Sequence, residues 1–450
     1  MRSTKTAAII AGLALVGLTL QGCAATADSS ATEGDGLDGA GKTLNVLVGV
    51  NNLYPEEQQT WFSEIADKFK EQTGAEVEFE TFASANDELT KIQTSVLSGQ
   101  GPDVYGLGTT FTPTAYSTGA FVELTDDEWD KVGGRDRFVP ATLGISGPDE
   151  SSQIGIPFVS RPFVMAYNTE LLKAAGIEEP ADSWDGLREQ ALELTSGDVK
   201  GLSIGYADTY DSYKFIWAMS KQAGSPFIED GKAYIDDPAT ITAFETYYGW
   251  LTEDGIVDPA AVGWNNSQAL ANFADGKAAF MPMTSAVSMN TLKDSAVADS
   301  YAYALMPTIA PGESKVPTDG VPATSILSGD NLVVADYSAN KDLAFAYIEL
   351  VTSADEQENY YEVFGELPAN AEAAAALQDG NEALATIVDS GSKSVATPFT
   401  GAWSEIQLAL ANVTVQSIPS LSAGSVPAAE IASRVGEAQS AAQSALDRVK

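Results

Sequence analysis

The chain has 450 residues, 44% of them hydrophobic, with 24 Lys and Arg against 63 Asp and Glu, for a net charge of −39. That balance lacks the basic face that nucleic-acid binding requires, and it repels anionic lipid, so the body has no electrostatic hold on a membrane. With no histidine and one cysteine, Ser-His-Asp and Cys-His nucleophiles, histidine metal centres and internal disulfides are excluded, and enzyme chemistry would have to rest on carboxylates or lysine. The acidity could draw a cationic ligand such as a polyamine, or be no more than a solvated surface.

Arg2 and Lys5 precede an apolar stretch at 7–20, and Cys23 closes the run Leu20-Gln21-Gly22-Cys23. A charged start, a short apolar core and small residues ahead of a cleavage point describe a secretory signal. The stretch is too short to remain as a spanning helix. Its ending resembles the lipobox of bacterial lipoproteins, with Gln21 a less common residue at its place. The resemblance implies cleavage before Cys23 and lipid on its sulfur. The mature chain would then sit on the extracellular face of the bacterial cytoplasmic membrane, lipid-anchored. Removing 22 residues leaves 428, too many for one ordinary core, so two domains are expected. Residues 24–42 (AATADSSATEGDGLDGAGK) are small, polar and Gly-rich, the composition of a flexible tether.

Order is expected from Thr43. Residues 44–50 (LNVLVGV) form a short apolar run and read as a buried strand. A helix over 61–72 follows, with Trp61, Phe62, Ile65, Ala66 and Phe69 on one face and Gly74 as its C-terminal cap. Residues 76–82 (EVEFETF) alternate with period two. Asn86 is expected to cap a second helix to Ser98, with Asp87 and Glu88 in its first turn. Gly101-Pro102 breaks it before a strand at 103–107. Strand, helix, strand, helix, strand is the pattern of an α/β sheet with right-handed crossovers. Farther on, 154–167 is strand-like, 169–175 and 184–194 are helical with Ser183 as a cap, 201–206 is a strand, and 212–222 and 238–251 are helices. Short strands at 278–283, 301–306 and 331–335 precede helices at 341–352 and 355–363. The remainder is dominated by helical period and ends in an amphipathic helix from Pro427.

Five segments resemble, in order and spacing, the carbohydrate-binding branch of the extracellular solute-binding proteins of ATP-driven (ABC) importers. GPDVYGLGTTFTPTAYSTGAFVELTD (101–126) is similar to that family's Pro-Asp strand, ligand loop and Gly-x-x-x-x-Leu. IGIPFVSRPFVMAYNTELLKAAGI (154–177) resembles its crossover with Tyr-Asn before a Leu-rich helix. SWDGLREQA (183–191), NFADGKAAFMP (272–282) and NKDLAFAYIELVTSADEQENYYEVFGELPAN (340–370) resemble three later family segments. The resemblance implies an α/β, two-lobed periplasmic-binding-protein-like fold of type II, its lobes joined by hinge crossovers. It places the first lobe at 43–155 plus 284–330 and the second at 156–283 plus 331–450. It also implies a carbohydrate ligand in the cleft, membrane permease subunits as partners, a monomer, no cofactor, no metal and no catalytic activity.

A sugar presents hydroxyls at its rim and C–H patches on its faces, so its site needs planar polar groups and aromatic rings. The family positions suggest Trp403, which opens a helix after a loop, as a stacking ring. Trp264 is a second platform, flanked by Gly263 and Asn265-Asn266. Arg161 follows the first crossover at a position where relatives often carry a charged ligand contact, and its alternative role is an ion pair between lobes. Thr109 and Thr110 end the third strand among family contacts. Tyr54 lies in the first strand-to-helix loop, at the cleft edge of an α/β sheet. Asp87 could reach a hydroxyl or serve as a helix N-terminal charge, and Asp211 and Tyr213 stand in a further family contact region. Thr284 and Ser285 precede Ala286, where many relatives carry a stacking tryptophan. The tyrosine pairs 247–248 and 360–361 resemble the adjacent tyrosines of ferric-iron binders, but both fall in mid-helix and read as core. Three alternatives stay open: a polyamine or other solute in the same fold, a glycosidase with two carboxylates about 5–10 Å apart, and a cell-surface sensor or adhesin.

Overall fold

A computed structural model describes residues 37–378 and 381–449. The signal segment, Cys23 and most of the tether lie outside the described residues. The first five elements follow the expected order: β1 (Thr43–Gly49), α1 (Pro55–Thr73), β2 (Glu76–Phe82), α2 (Ala85–Ser98) and β3 (Val104–Gly108). α1 starts on Pro55, whose missing N–H costs nothing in the first turn. Glu56 and Glu57 face its positive end and Lys70 its negative end. It stops where Gly74 adopts a left-handed φ of 77° and donates to the Lys70 carbonyl at 2.8 Å. α2 is capped by Ser84, which accepts from the Asp87 amide at 3.2 Å. Asn86, the expected cap, is instead inside the first turn.

Short helices α3 (Thr112–Ser117), α4 (Asp126–Asp130) and α5 (Pro140–Leu143) lead to β4 (Ile156–Ser160). Next come β5 (Val164–Asn168), α6 (Thr169–Ala175), α7 (Trp184–Leu194), β6 (Lys200–Leu202) and α8 (Ser212–Gln222). A small hairpin of β7 (Ile228–Glu229) and β8 (Lys232–Ala233) precedes α9 (Pro238–Thr252), α10 (Asn266–Ala274), β9 (Ala278–Thr284), α11 (Ser288–Leu292) and β10 (Tyr301–Ala304). The chain closes with β11 (Gly329–Val334), α12 (Lys341–Val351), α13 (Ala354–Phe364), β12 (Leu367–Pro368), α14 (Ala371–Gln378), α15 (Glu382–Ser392), α16 (Trp403–Ser422) and α17 (Ala428–Arg448).

The strands form two principal sheets. One has the order β12-β4-β11-β3-β1-β2 and the other β10-β5-β9-β6. In the first, β1 runs parallel to β2 and β3, while β11 is antiparallel to β3 and β4. Its core gathers Val46, Ile65, Phe69, Val104, Ile156 and Leu332. The second sheet packs with α7, α8, α9 and α16 around Trp184, Trp217, Tyr247, Trp250 and Trp403. Each such fully buried side chain contributes about 1.5–3 kcal/mol relative to exposure. The chain therefore crosses between sheets at 161–163 and at 305–328, and after β12 of the first sheet it reaches α15, which packs on β5 and β10 of the second.

These crossings differ from the expected segment boundaries. β4 and β11 belong to the first sheet, and β10, expected with the first lobe, pairs with β5 in the second. The run 154–167 reads as one stretch because both strands are apolar and buried. Pro162, with no amide hydrogen to give a ladder, separates them. The strand expected at 201–206 ends at Leu202, because the Tyr206 and Ala207 amides bond to Ala261 and Trp264 carbonyls instead. A Cβ at Gly205 would stand 2.5 Å from the Trp264 carbonyl oxygen, so only glycine lets the two loops meet there.

Candidate ligand cleft

The lobes face each other across the carboxyl end of β3 and the start of α2 on one side, and the loop before α8 with residues 264–266 on the other. In open α/β sheets ligands lie outside the carboxyl ends of the strands. Tyr210, from the second lobe's loop, packs against the first lobe's cluster of Leu47, Phe82, Leu89 and Phe111. Beneath it, Asp208 Oδ1 accepts from the amides of Tyr210 and Asp211, both at 2.8 Å, and Oδ2 from the Asn266 amide at 3.1 Å. Asp211 pairs with Lys214 at 2.5 Å and accepts from Asn266 Nδ2 at 2.6 Å. Lys214 Nζ also lies 4.2 Å from the ring centre of Phe163, in the first crossing.

On the opposite side Glu88 is 1% exposed and accepts from the Gly108 amide at 3.1 Å. Burial holds its carboxyl well above the usual range, with the Gly108 hydrogen bond pulling back and Asp330 adding to the rise. Burial and then Asp211 likewise raise Asp208. The Tyr210 phenol is pushed far up by burial, and next by the negative charge of Glu88, Asp330, Asp208 and Asp87 around it. The charge of carboxylates from both lobes thus reaches one phenol.

The expected site residues divide into three groups. Thr110, Asp211 and Tyr213 come together: Thr110 acts on the Tyr213 phenol, pulling back the rise that burial causes, and that phenol donates to Gln407 Oε1 at 3.0 Å. Thr109 is adjacent, buried, its Oγ1 without a protein partner. Asp87 accepts from the Ala83 amide at 3.0 Å while contributing to the field at Tyr210.

The second group lies near the crossings, and of it Tyr54 reaches the other lobe. The Tyr54 hydroxyl donates to the Val287 carbonyl at 3.1 Å. Thr284 and Ser285 are buried at the end of β9, after Met283 with a left-handed φ of 60°. Arg161 donates to Glu366 through Nε at 3.0 Å and Nη2 at 2.6 Å, and to Asp330 through Nη1 at 3.3 Å and Nη2 at 2.9 Å. It ties the first crossing to the start of β11 and to the residue before β12, and both carboxylates lie on the first lobe's side. Glu366 is raised by burial, with Arg161 opposing.

The tryptophans form the third group. Trp403 is 0% exposed and meets Trp217 edge-on at 5.2 Å. It packs within the second lobe's core cluster, next to Ser404, which touches Thr114 of the first lobe. Trp264 is half-buried against the same core. Ala286 is buried beside β9. Sequence reasoning missed Tyr210, Asp208, Lys214, Asn266, Asp330 and Glu366. The dense run DTYDSY at 208–213 is the available signal for the first two. In the sequence, Glu88 carries only the mark of a helix-start acid.

Elsewhere the lobes touch through Thr114, whose hydroxyl lies 2.6 Å from Ser404 Oγ, and through Tyr116 with Phe399, ring centres 5.6 Å apart. A small cavity of about 10 Å³ within the second lobe, beside Asp208, Asp211, Phe215, Asn266 and Met281, has room for a single water. Among the described residues no cluster of three or more carboxylates and thiols could hold a metal ion, and no helix is long and apolar enough to cross a membrane.

Two α/β lobes, three crossings and a polar cleft closed by side chains from both sides define a two-lobed ligand-binding protein. The chain belongs to the bacterial extracellular solute-binding proteins, whose family pattern matches residues 64–386. It is 25% identical over 412 residues to the diacetylchitobiose binding protein DasA of Streptomyces coelicolor, covering 89% of this chain and 90% of that one. It is 22% identical over 391 residues to a maltooligosaccharide ABC transporter solute-binding lipoprotein of Streptococcus pneumoniae, covering 85% of each. In fold it is similar to maltose-bound T. maritima MalE3, with a TM-score of 0.74 at 16% identity over 88% of this chain and 99% of that one. It is also similar to the GacH receptor of Streptomyces glaucescens, with a TM-score of 0.70 at 21% identity over 88% and 97%.

Proposed function

We propose that this protein captures an oligosaccharide between its lobes and delivers it to an ABC importer, held at the cell surface by lipid on Cys23. The observation that carries the reading is the ring of Tyr210, set among paired acceptors and donors from both lobes. An aromatic ring with the acceptors Asp208 and Glu88 acting on it from the two lobes suits C–H patches and hydroxyls together. Closure would follow from the ligand touching both lobes at once, since only contacts made in the closed form shift that equilibrium. The named ligands of the Streptomyces and Streptococcus relatives, diacetylchitobiose and maltooligosaccharide, support the same class.

Titration calorimetry against di- to tetrasaccharides tests it: at least one sugar should bind with micromolar or tighter affinity. No heat with any sugar would sink the reading. The anchoring arm is separate. Cys23→Ser should leave affinity intact and impair uptake by cells, because the tethered protein loses its high effective concentration at the permease. Unchanged uptake would remove the anchor from the mechanism.

A further inference from the structure

We infer that Thr114, Ser117, Gly401 and Ser404 form a latch between the lobes. It is a contact of protein groups alone, made only in the closed form, and it adds to the affinity for the ligand. Thr114 and Ser117 belong to α3, after the carboxyl end of β3 in the first lobe. Gly401 and Ser404 stand at the start of α16, whose apolar face lies in the second lobe's core. The Thr114 hydroxyl donates to the Gly401 carbonyl at 2.9 Å and lies 2.6 Å from Ser404 Oγ. Beside them Tyr116 and Phe399 meet edge to face. Gly401 is the informative residue. It has no left-handed φ, so its backbone does not demand glycine. The opposite lobe does: a Cβ there would stand 2.3 Å from Ser117 Oγ and 2.4 Å from Ser117 Cβ. On its own lobe's side the nearest atom beyond its chain neighbours, Val449 Cγ1, is at an ordinary 3.4 Å.

The make-up of the contact is that of a surface able to part. Thr114 and Ser404 are buried, but small hydroxyls and a carbonyl exchange one another for water at little cost, as an apolar seam would not. The packing around them is also incomplete. A groove lined by Leu89 of α2 and by Leu408, Val413 and Ala438 of α16 and α17 has a volume of about 360 Å³, where a permanent interface would be filled to interior density. The apparent affinity of a ligand falls with the fraction of protein in the competent form. Groups that favour closure therefore tighten binding without touching the ligand.

Two arms test the latch, and the first needs no sugar. In the full-length protein with Cys23→Ser, which leaves no other thiol, Thr114→Cys with Ser404→Cys should form a disulfide under mild oxidation. The oxidised protein should then be more compact in small-angle scattering than the reduced one. No cross-link would mean that the groups do not meet, and equal radii of gyration that they do not part; either would overturn the inference. The second arm rests on the oligosaccharide reading and uses a saccharide that binds in calorimetry. Gly401→Ala should weaken it about ten-fold, because the overpacking falls on the closed form alone. The unliganded midpoint should move by less than about 1 °C. Adding Ser117→Gly, from the opposite lobe, should restore the affinity, which damage within the second lobe would not allow. Unchanged affinity in Gly401→Ala, a loss that Ser117→Gly leaves in place, or an unliganded midpoint that falls by several degrees would overturn the latch and leave the oligosaccharide reading intact. No heat from any saccharide would sink the oligosaccharide reading alone, and the cross-link and scattering would still decide the latch.

Discussion

Arg161→Met deletes the guanidinium that holds two carboxylates where the chain first crosses between lobes. The side chains of Arg161, Asp330 and Glu366 are 25%, 32% and 11% exposed, so water can solvate the stranded acids only in part. Removing one partner from a buried ion pair costs about 3–5 kcal/mol, and this residual exposure places the loss near the lower end. With an unfolding entropy of ~2.1 cal/mol/K per residue, a unit of roughly 410 residues has ~0.9 kcal/mol/K. A loss of about 3 kcal/mol therefore lowers the thermal midpoint by roughly 3–4 °C. Differential scanning calorimetry at pH 7.5 reads this directly. The pH dependence has a definite sign. Glu366 is already raised above 4.5 in the folded protein, and losing Arg161 raises it further. Its ionised form is then the costly one, so the deficit is largest above its folded value and shrinks as pH falls toward 4.5. Adding Glu366→Gln to Arg161→Met should recover about half the loss, since one stranded charge is gone. An unchanged midpoint, or a double variant no more stable than the single, would refute the argument that these three groups form one electrostatic unit.

The other predictions concern the cleft and the core. Glu88→Gln keeps the acceptor for Gly108 and removes a buried acid whose folded value is raised. It should therefore lift the unliganded midpoint by about 1–2 °C at pH 8, an advantage that fades toward pH 4.5; a midpoint unchanged at both pH values would contradict the burial argument. Trp403→Ala should cost about 3–5 kcal/mol in urea unfolding, the cost of emptying a core site, whereas a stacking role would show as lost sugar affinity at unchanged stability. Tyr210→Ala should weaken the bound saccharide about ten-fold or more in calorimetry, as for an aromatic anchor, with the unliganded midpoint moving by less than about 1 °C.

The elements were legible wherever local physics decides them. Gly74 after a helical stripe, Ser183 before Trp184 and Pro238 at a helix start each satisfied a helix end by their own chemistry, so the boundaries followed from the residues around them. The lobe membership of β4, β10 and β11 did not follow, because sheet pairing joins segments more than a hundred residues apart and an apolar strand carries no mark of which sheet it enters. At 154–167 both strands are buried and apolar, and only Pro162 between them hints at a crossing. Ser84 displaced Asn86 as a cap for a similar reason: either side chain could accept an amide, and the chain direction leaving Phe82 chose between them.

The cleft was half legible, and Trp403 shows why. A tryptophan just after a loop satisfies the requirement for a stacking platform. However, Trp403, Ile406, Leu410 and Val413 recur at helical spacing, and all four are buried in α16. That stripe is the pattern of a core-facing helix, and it outweighed the loop position once α16 packed with α8 and α9. Tyr210 carries no stripe. It stands in a loop between Asp208 and Asp211, where no local apolar face can absorb the ring, so its burial requires the opposite lobe. The distinction is general to a two-lobed chain: a ring that its own lobe can bury belongs to stability, and a ring that only the partner lobe can bury reports closure. Tyr54 meets the second condition through Val287, and Tyr213 meets both through Gln407 and Thr110. Burial that depends on the partner lobe is lost when the cleft opens, and it is there that a ligand's contacts can add to the protein's own.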